Sequence, residues 1–144
     1  MLLKFAEELS RAILEKGSVY GIPANLFEEN CQIFLVPMVD PDGVDLVTGG
    51  IPLGSVQWEK AKNLAGNYPA IPFPNSWKAN LLGVDLNLQY PAGWLQAREI
   101  KFSQGYTRPG PRDYVGKAPL TQRESRALAD FTHSDNITSH NIFY

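Results

Sequence analysis

With 144 residues, 44% of them apolar and 19% charged, the chain has the makeup of one soluble globular domain, long enough to enclose a core and too short to expect two. A net charge of −2, with Lys and Arg scattered, excludes a strongly basic nucleic-acid surface. The single cysteine, Cys31, excludes an internal disulfide framework and a Cys-rich metal site.

In chain order, Leu2, Phe5, Ala6, Leu9, Ala12 and Ile13 fall on one helical face, with Lys4, Glu7, Glu8, Arg11 and Glu15 opposite. Gly17 sits where a left-handed C-terminal cap belongs. No capping residue precedes Leu2, as though the chain opened inside the helix. Met1 to Lys16 lacks the long apolar stretch of a membrane span and the cleavage site of a signal peptide, so the default expectation is cytoplasmic, with no membrane partner. A short helical turn is expected at Ala24 to Asn30, after Pro23. Gln32 to Val39 reads as a buried strand, with Cys31 beside it as a small buried residue. Val36-Pro37-Met38-Val39-Asp40-Pro41-Asp42-Gly43 then stops that strand in a turn. A long Gly- and Pro-rich loop to about Ser76 follows, with one helical turn at Trp58 to Leu64.

From Gly83 the chain reads Gly-Val-Asp-Leu-Asn-Leu-Gln-Tyr-Pro, in which Val84, Leu86 and Leu88 alternate with Asp85, Asn87 and Gln89. That is a period-2 strand with one apolar and one polar face, so Asp85 and Asn87 would project side by side. An edge strand with a wet outer face is the simpler account of this stretch alone; a pair of ligand-facing groups near Trp77 and Tyr90 is the sharper one. Leu95 to Phe102 has helical character, Gly105 to Tyr114 is irregular, and Thr121 with Glu124 predicts a capping box for a helix carrying Leu128 and Phe131. Strands separated by helices and crossovers imply an α/β sheet covered by helices, with ligands collecting at the strands' carboxyl ends.

Isolated chemical motifs are few. His133 and His140 are the only histidines, and neither has the i, i+4 partner of a helical metal site, so both read first as surface residues. Arg108 and Arg112 flank a Pro-Gly-Pro turn, which suits an anion or an ordinary exposed loop.

Taken together, the motifs say more. Val36 to Val44, Trp77-Lys78-Ala79-Asn80, Gly83 to Trp94, Pro111-Arg112-Asp113-Tyr114-Val115-Gly116 and Pro119 to Glu124 resemble, in order, the carboxypeptidase A-like zinc metallopeptidases. The resemblance is strongest to the bacterial branch that cuts γ-D-glutamyl–diamino-acid bonds in cell-wall peptides. It covers residues 1–131 of a single partial domain, with 132–144 a divergent tail. It implies part of a mixed central sheet flanked by helices, and a zinc held by His-x-x-Glu and a second histidine. A glutamate near the family's C-terminus would act as general base on the zinc-bound water.

By position, Asp85 matches the carboxylate that orients the first zinc histidine, and Asn87 the asparagine that binds the substrate's terminal carboxylate. His140 lies near the second zinc histidine's place, in a polar setting unlike the family's. Leu88 replaces an arginine of typical carboxypeptidases, as in the cell-wall branch, and Leu82 stands where another arginine is common. The sequence supplies neither His-x-x-Glu nor the general base. The expectation is therefore a piece truncated at both ends, without catalytic residues and inactive by itself, with zinc a feature of the family and not bound by this chain alone. The alternative is a non-catalytic peptide-binding or self-associating module. Partners are then a cell-wall peptide, and either another copy of the chain or a complementing segment.

Overall fold

The computed structural model describes residues 2–133. The chain divides into two compact units, residues 1–39 and 40–144.

In the first unit, helix α1 (Leu2–Leu14) buries Leu9 and Ala12 on the stripe that its periodicity foretold. The helix ends with Gly17 N–H on Ala12 O (2.8 Å) and Lys16 N–H on Ile13 O (3.3 Å). This is a Schellman ending, and it puts Lys16, not Gly17, in the left-handed position, at φ 53°. Strands β1 (Ser18–Val19) and β2 (Ile22–Pro23) pair antiparallel across Tyr20 and Gly21. Both turn residues have positive φ, 49° and 82°, which suits the right-handed twist of a two-residue hairpin. Helix α2 (Ala24–Asn30) follows as expected. Leu9, Ala12, Val19 and Ala24 close a small core, with Phe5, Ile13 and Phe27 packed against it.

The strand expected over Gln32 to Val39 is not formed. Residues 31–39 carry no regular structure, and Ile33, Phe34, Leu35, Val36 and Met38 are exposed, as is Cys31. A strand needs a paired neighbour. Among the described residues the sheet consists of β1 and β2, and it gives this run none.

The second unit corrects the long loop. Helix α3 (Pro41–Thr48) is capped by Asp40, whose carboxylate accepts from Gly43 N–H, and it ends at a left-handed Gly49. Asp-Pro-Asp-Gly was thus a helix start, with proline at the first helical position, and not a stop. Helix α4 (Val56–Ala65) is capped by Ser55, which accepts from Trp58 N–H. Leu46, Ala61, Ala65, Trp77 and Ala79 form the core, with Ile51, Leu64, Phe73 and Leu81 around it. Phe73 stands edge-on to Trp58 at 4.6 Å and to Trp77 at 5.9 Å. Helices α5 (Trp94–Ser103) and α6 (Arg123–Thr132) complete this unit's regular structure among the described residues.

Val84 to Gln89 is likewise not a strand. Val84, Asp85 and Leu86 are all buried in succession, and Leu86–Leu88 coil into a 3₁₀ turn. The Asp85 carboxylate takes the N–H of Asn87, a local bond that competes with any sheet ladder. The strands expected for a mixed sheet are not formed, and the sheet among the described residues is the one two-stranded hairpin of β1 and β2, which the sequence had not suggested. No helix among the described residues is long and apolar enough to cross a membrane.

Candidate functional site

The site is built from two loops, 78–90 and 109–122, joined mainly by side chains. Three buried polar residues do the joining: Asn80, Asp85 and Gln89, exposed by 2%, 1% and 0%. Buried polar groups cost stability unless bonded, and all three are bonded.

Asn80 satisfies its whole side chain. Its Oδ1 accepts from Leu82 and Val84 N–H, both at 3.1 Å, which shapes the turn into Gly83. Its Nδ2 donates to Gln122 Oε1 (2.9 Å) and Glu124 Oε1 (3.3 Å), tying the turn to the start of α6. Thr121 is consequently not the cap expected from the sequence. Gln122 is the N-cap, without a side-chain bond, and Thr121 Oγ1 donates to Gln89 Oε1. Gln89 Oε1 also accepts from Thr121 and Gln122 N–H, while its Nε2 donates to Val115 O and Ala118 O. Gly116, at φ 84°, is required beside it: a Cβ there would lie 2.4 Å from Gln89 Nε2.

Asp85 lies at the centre. Its Oδ2 meets Lys78 Nζ at 3.0 Å and Asp113 N–H at 3.2 Å, and its Oδ1 accepts from Asn87 N–H at 3.3 Å. Its own N–H donates to Tyr114 O. Lys78 is about half exposed, so the pair is a buried acid reached by a cation from solvent. Asp113 is buried too, and it holds Lys101 Nζ at 2.7 Å and Arg112 Nε at 2.8 Å. Burial by itself would raise its pKa, but hydrogen bonds and charge from Lys101 and Arg112 outweigh that and hold the carboxyl below its usual range. Arg112 is thereby engaged by Asp113, and the Arg108 backbone is held by the Tyr68 hydroxyl.

The comparisons with known proteins bear on this arrangement. Residues 21–143 match the family model described as zinc carboxypeptidase. The chain belongs to the zinc carboxypeptidase family. It is 40% identical over 137 residues to gamma-D-glutamyl-L-diamino acid endopeptidase 1 of Lysinibacillus sphaericus, covering 95% of this chain and 33% of that protein. It is 37% identical over 129 residues to the uncharacterized protein YqgT of Bacillus subtilis (strain 168), covering 89% of this chain and 32% of that one. The chain thus spans about a third of the length of these relatives. No solved structure matches it. The described helices and two-stranded sheet are compatible with an incomplete zinc carboxypeptidase-like fold.

Zinc is the metal of this family, but the described residues do not make a site for it. No three of their His, Cys, Asp or Glu side chains come together to hold an ion. His133 has its Nδ1 2.7 Å from Ala129 O at the end of α6, and His140 lies outside the described residues. Asp85 and Asn87 are brought together by one hydrogen bond, Asp85 buried and the Asn87 side chain exposed. The side-by-side projection expected of a strand, as a wet edge or as a ligand-facing pair, is not formed: Asp85 is buried and Asn87 exposed on a 3₁₀ turn. Leu82 is 66% exposed and Leu88 half-buried.

Sequence reasoning assigned no role to Asn80, Gln89, Lys78, Asp113 or Lys101. The signal for the first two was available: uncharged amides with long reach, each beside a glycine- or proline-bearing turn that needs its backbone groups bonded.

Proposed function

We propose that this chain forms part of the substrate-binding wall of a zinc peptidase that cleaves γ-D-glutamyl–diamino-acid bonds in bacterial cell-wall peptides. In this reading Asn87 donates its exposed amide to the substrate's terminal carboxylate. Asp85 orients a zinc-bound histidine supplied from beyond the described residues, and the mixed central sheet of the family extends beyond them as well. The observation that supports it most is the Gly83-Val84-Asp85-Leu86-Asn87 turn, where a buried carboxylate is fixed by three donors, the Asn87 backbone N–H among them, two residues before an exposed asparagine. The 144 residues contain no His-x-x-Glu, so the chain's own part is binding and not bond cleavage.

Calorimetric titration with a γ-D-glutamyl–diaminopimelate peptide tests this. Asn87→Ala is expected to weaken binding by about 1–3 kcal/mol. An unchanged affinity would remove Asn87 from the binding wall. Hydrolysis of the peptide by the 144 residues alone, with stoichiometric zinc, would overturn the division of labour.

A second reading, a self-associating module, is supported by the exposed apolar run Ile33 to Met38. A strictly monomeric sedimentation profile at high concentration rejects it.

A further inference from the structure

We infer that Asp113 is a positioning residue for the Asp85–Asn87 turn, and that Lys101 on α5 and Arg112 act on that turn through it. The inference rests on the reading of Asp85 and Asn87 given above for its functional meaning, but not for its geometry.

Asp113 has a backbone that an L-residue seldom adopts: its φ is 67°. In that conformation its N–H donates to Asp85 Oδ2 at 3.2 Å, while the next residue's carbonyl, Tyr114 O, accepts from Asp85 N–H at 2.9 Å. Asp85 is thus gripped at its backbone and its side chain by two consecutive residues. The grip requires residue 113 to stay in the left-handed region. Its side chain is what keeps it there: Oδ1 is held by Lys101 Nζ at 2.7 Å and Oδ2 by Arg112 Nε at 2.8 Å. The side chain is 11% exposed, so both ion pairs are shielded from solvent on the acid's side. Asp85 in turn accepts from Asn87 N–H, so the line of contacts runs from Lys101 through Asp113 and Asp85 to the Asn87 backbone.

The line can be broken at a charge or at a backbone angle, and the two should behave differently. Alanine at 113 removes both ion pairs and still dislikes positive φ. Glycine removes the ion pairs but adopts positive φ freely. Lys101→Met removes one ion pair without touching residue 113.

Amide hydrogen exchange, read by NMR on the labelled chain without peptide or metal, reports the result directly. Asp113→Ala is expected to speed exchange at residue 113 and at Asn87 by at least tenfold. Asp113→Gly should keep both amides within about threefold of the wild-type rate, and Lys101→Met should fall between the two. The amide of Ala61, buried inside α4, serves as the control for an intact fold.

Wild-type protection in Asp113→Ala overturns the proposal, and so does equal loss in the alanine and glycine variants. If Asp113→Ala also unfolds the α4 control, the glycine and Lys101→Met variants decide by the same criteria. Because no peptide is present, failure here is distinct from failure of Asn87 to bind substrate.

Discussion

Asp40 and Asp113 are both carboxylates partly or fully withdrawn from water, and their neighbours drive them in opposite directions. Burial pushes Asp40 up to about 6, with Glu124 and Asp42 adding repulsion and the Gly43 N–H opposing it. Asp113 is held low, because Lys101 and Arg112 outweigh its burial. The signs of the pH effects follow. Asp113 contributes stability above its unfolded pKa and loses it as pH falls through its lower folded value. Asp40 binds a proton more readily in the folded state, so its contribution declines as pH rises from about 4 to about 6. Asp40→Asn, which can still cap α3, is therefore expected to match the wild type near pH 4. Near pH 7 it should be more stable by about 1 kcal/mol, a figure reduced for partial exposure. Urea midpoints at the two pH values check this, and a variant less stable at pH 7 would contradict it.

Among the elements, the amphipathic stripe of α1 and the helical reading of α2 and α5 were legible because each rests on local pattern. Helix α3, and all of α4 beyond the turn expected at Trp58 to Leu64, were obscured by surrounding Gly and Pro, although each carries its own start signal: Asp40 with Pro41, and Ser55. Ser55→Ala should cost about 1 kcal/mol and Ser55→Asp much less, since aspartate also caps. Thermal unfolding compares them, and equal losses would mean that the Ser55 side chain is not the cap that matters. The capping box at α6 looked as good on paper. It failed because Gln89 claims the Thr121 hydroxyl and Asn80 reaches Gln122 and Glu124, partners more than thirty residues away in sequence. The alternation from Val84 to Gln89 misled for the same reason: Asp85 and Gln89 are spent on loop contacts, and of the three polar residues Asn87 is the exposed one.

For the molecule as a whole, linked motifs carried the family where periodicity did not carry the sheet. Motif order survives in the sequence, whereas a strand's existence depends on pairing in a sheet, and the sheet among the described residues does not include 31–39. If that run associates with another copy, Ile33→Ser with Leu35→Ser should weaken self-association at least tenfold, as removing two buried aliphatic groups would. Sedimentation at matched concentrations measures it, and an unchanged boundary would place the contact elsewhere.

The turn from Val115 to Ala118 is tied at both ends to one nitrogen. Gln89 Nε2 is the atom that answers two carbonyls, Val115 O and Ala118 O. Slow hydrolysis of that side chain to glutamate would alter a single heavy atom and aim a negative oxygen at both. Chemical ageing at one interior position would thus undo what no change of shape or volume had touched.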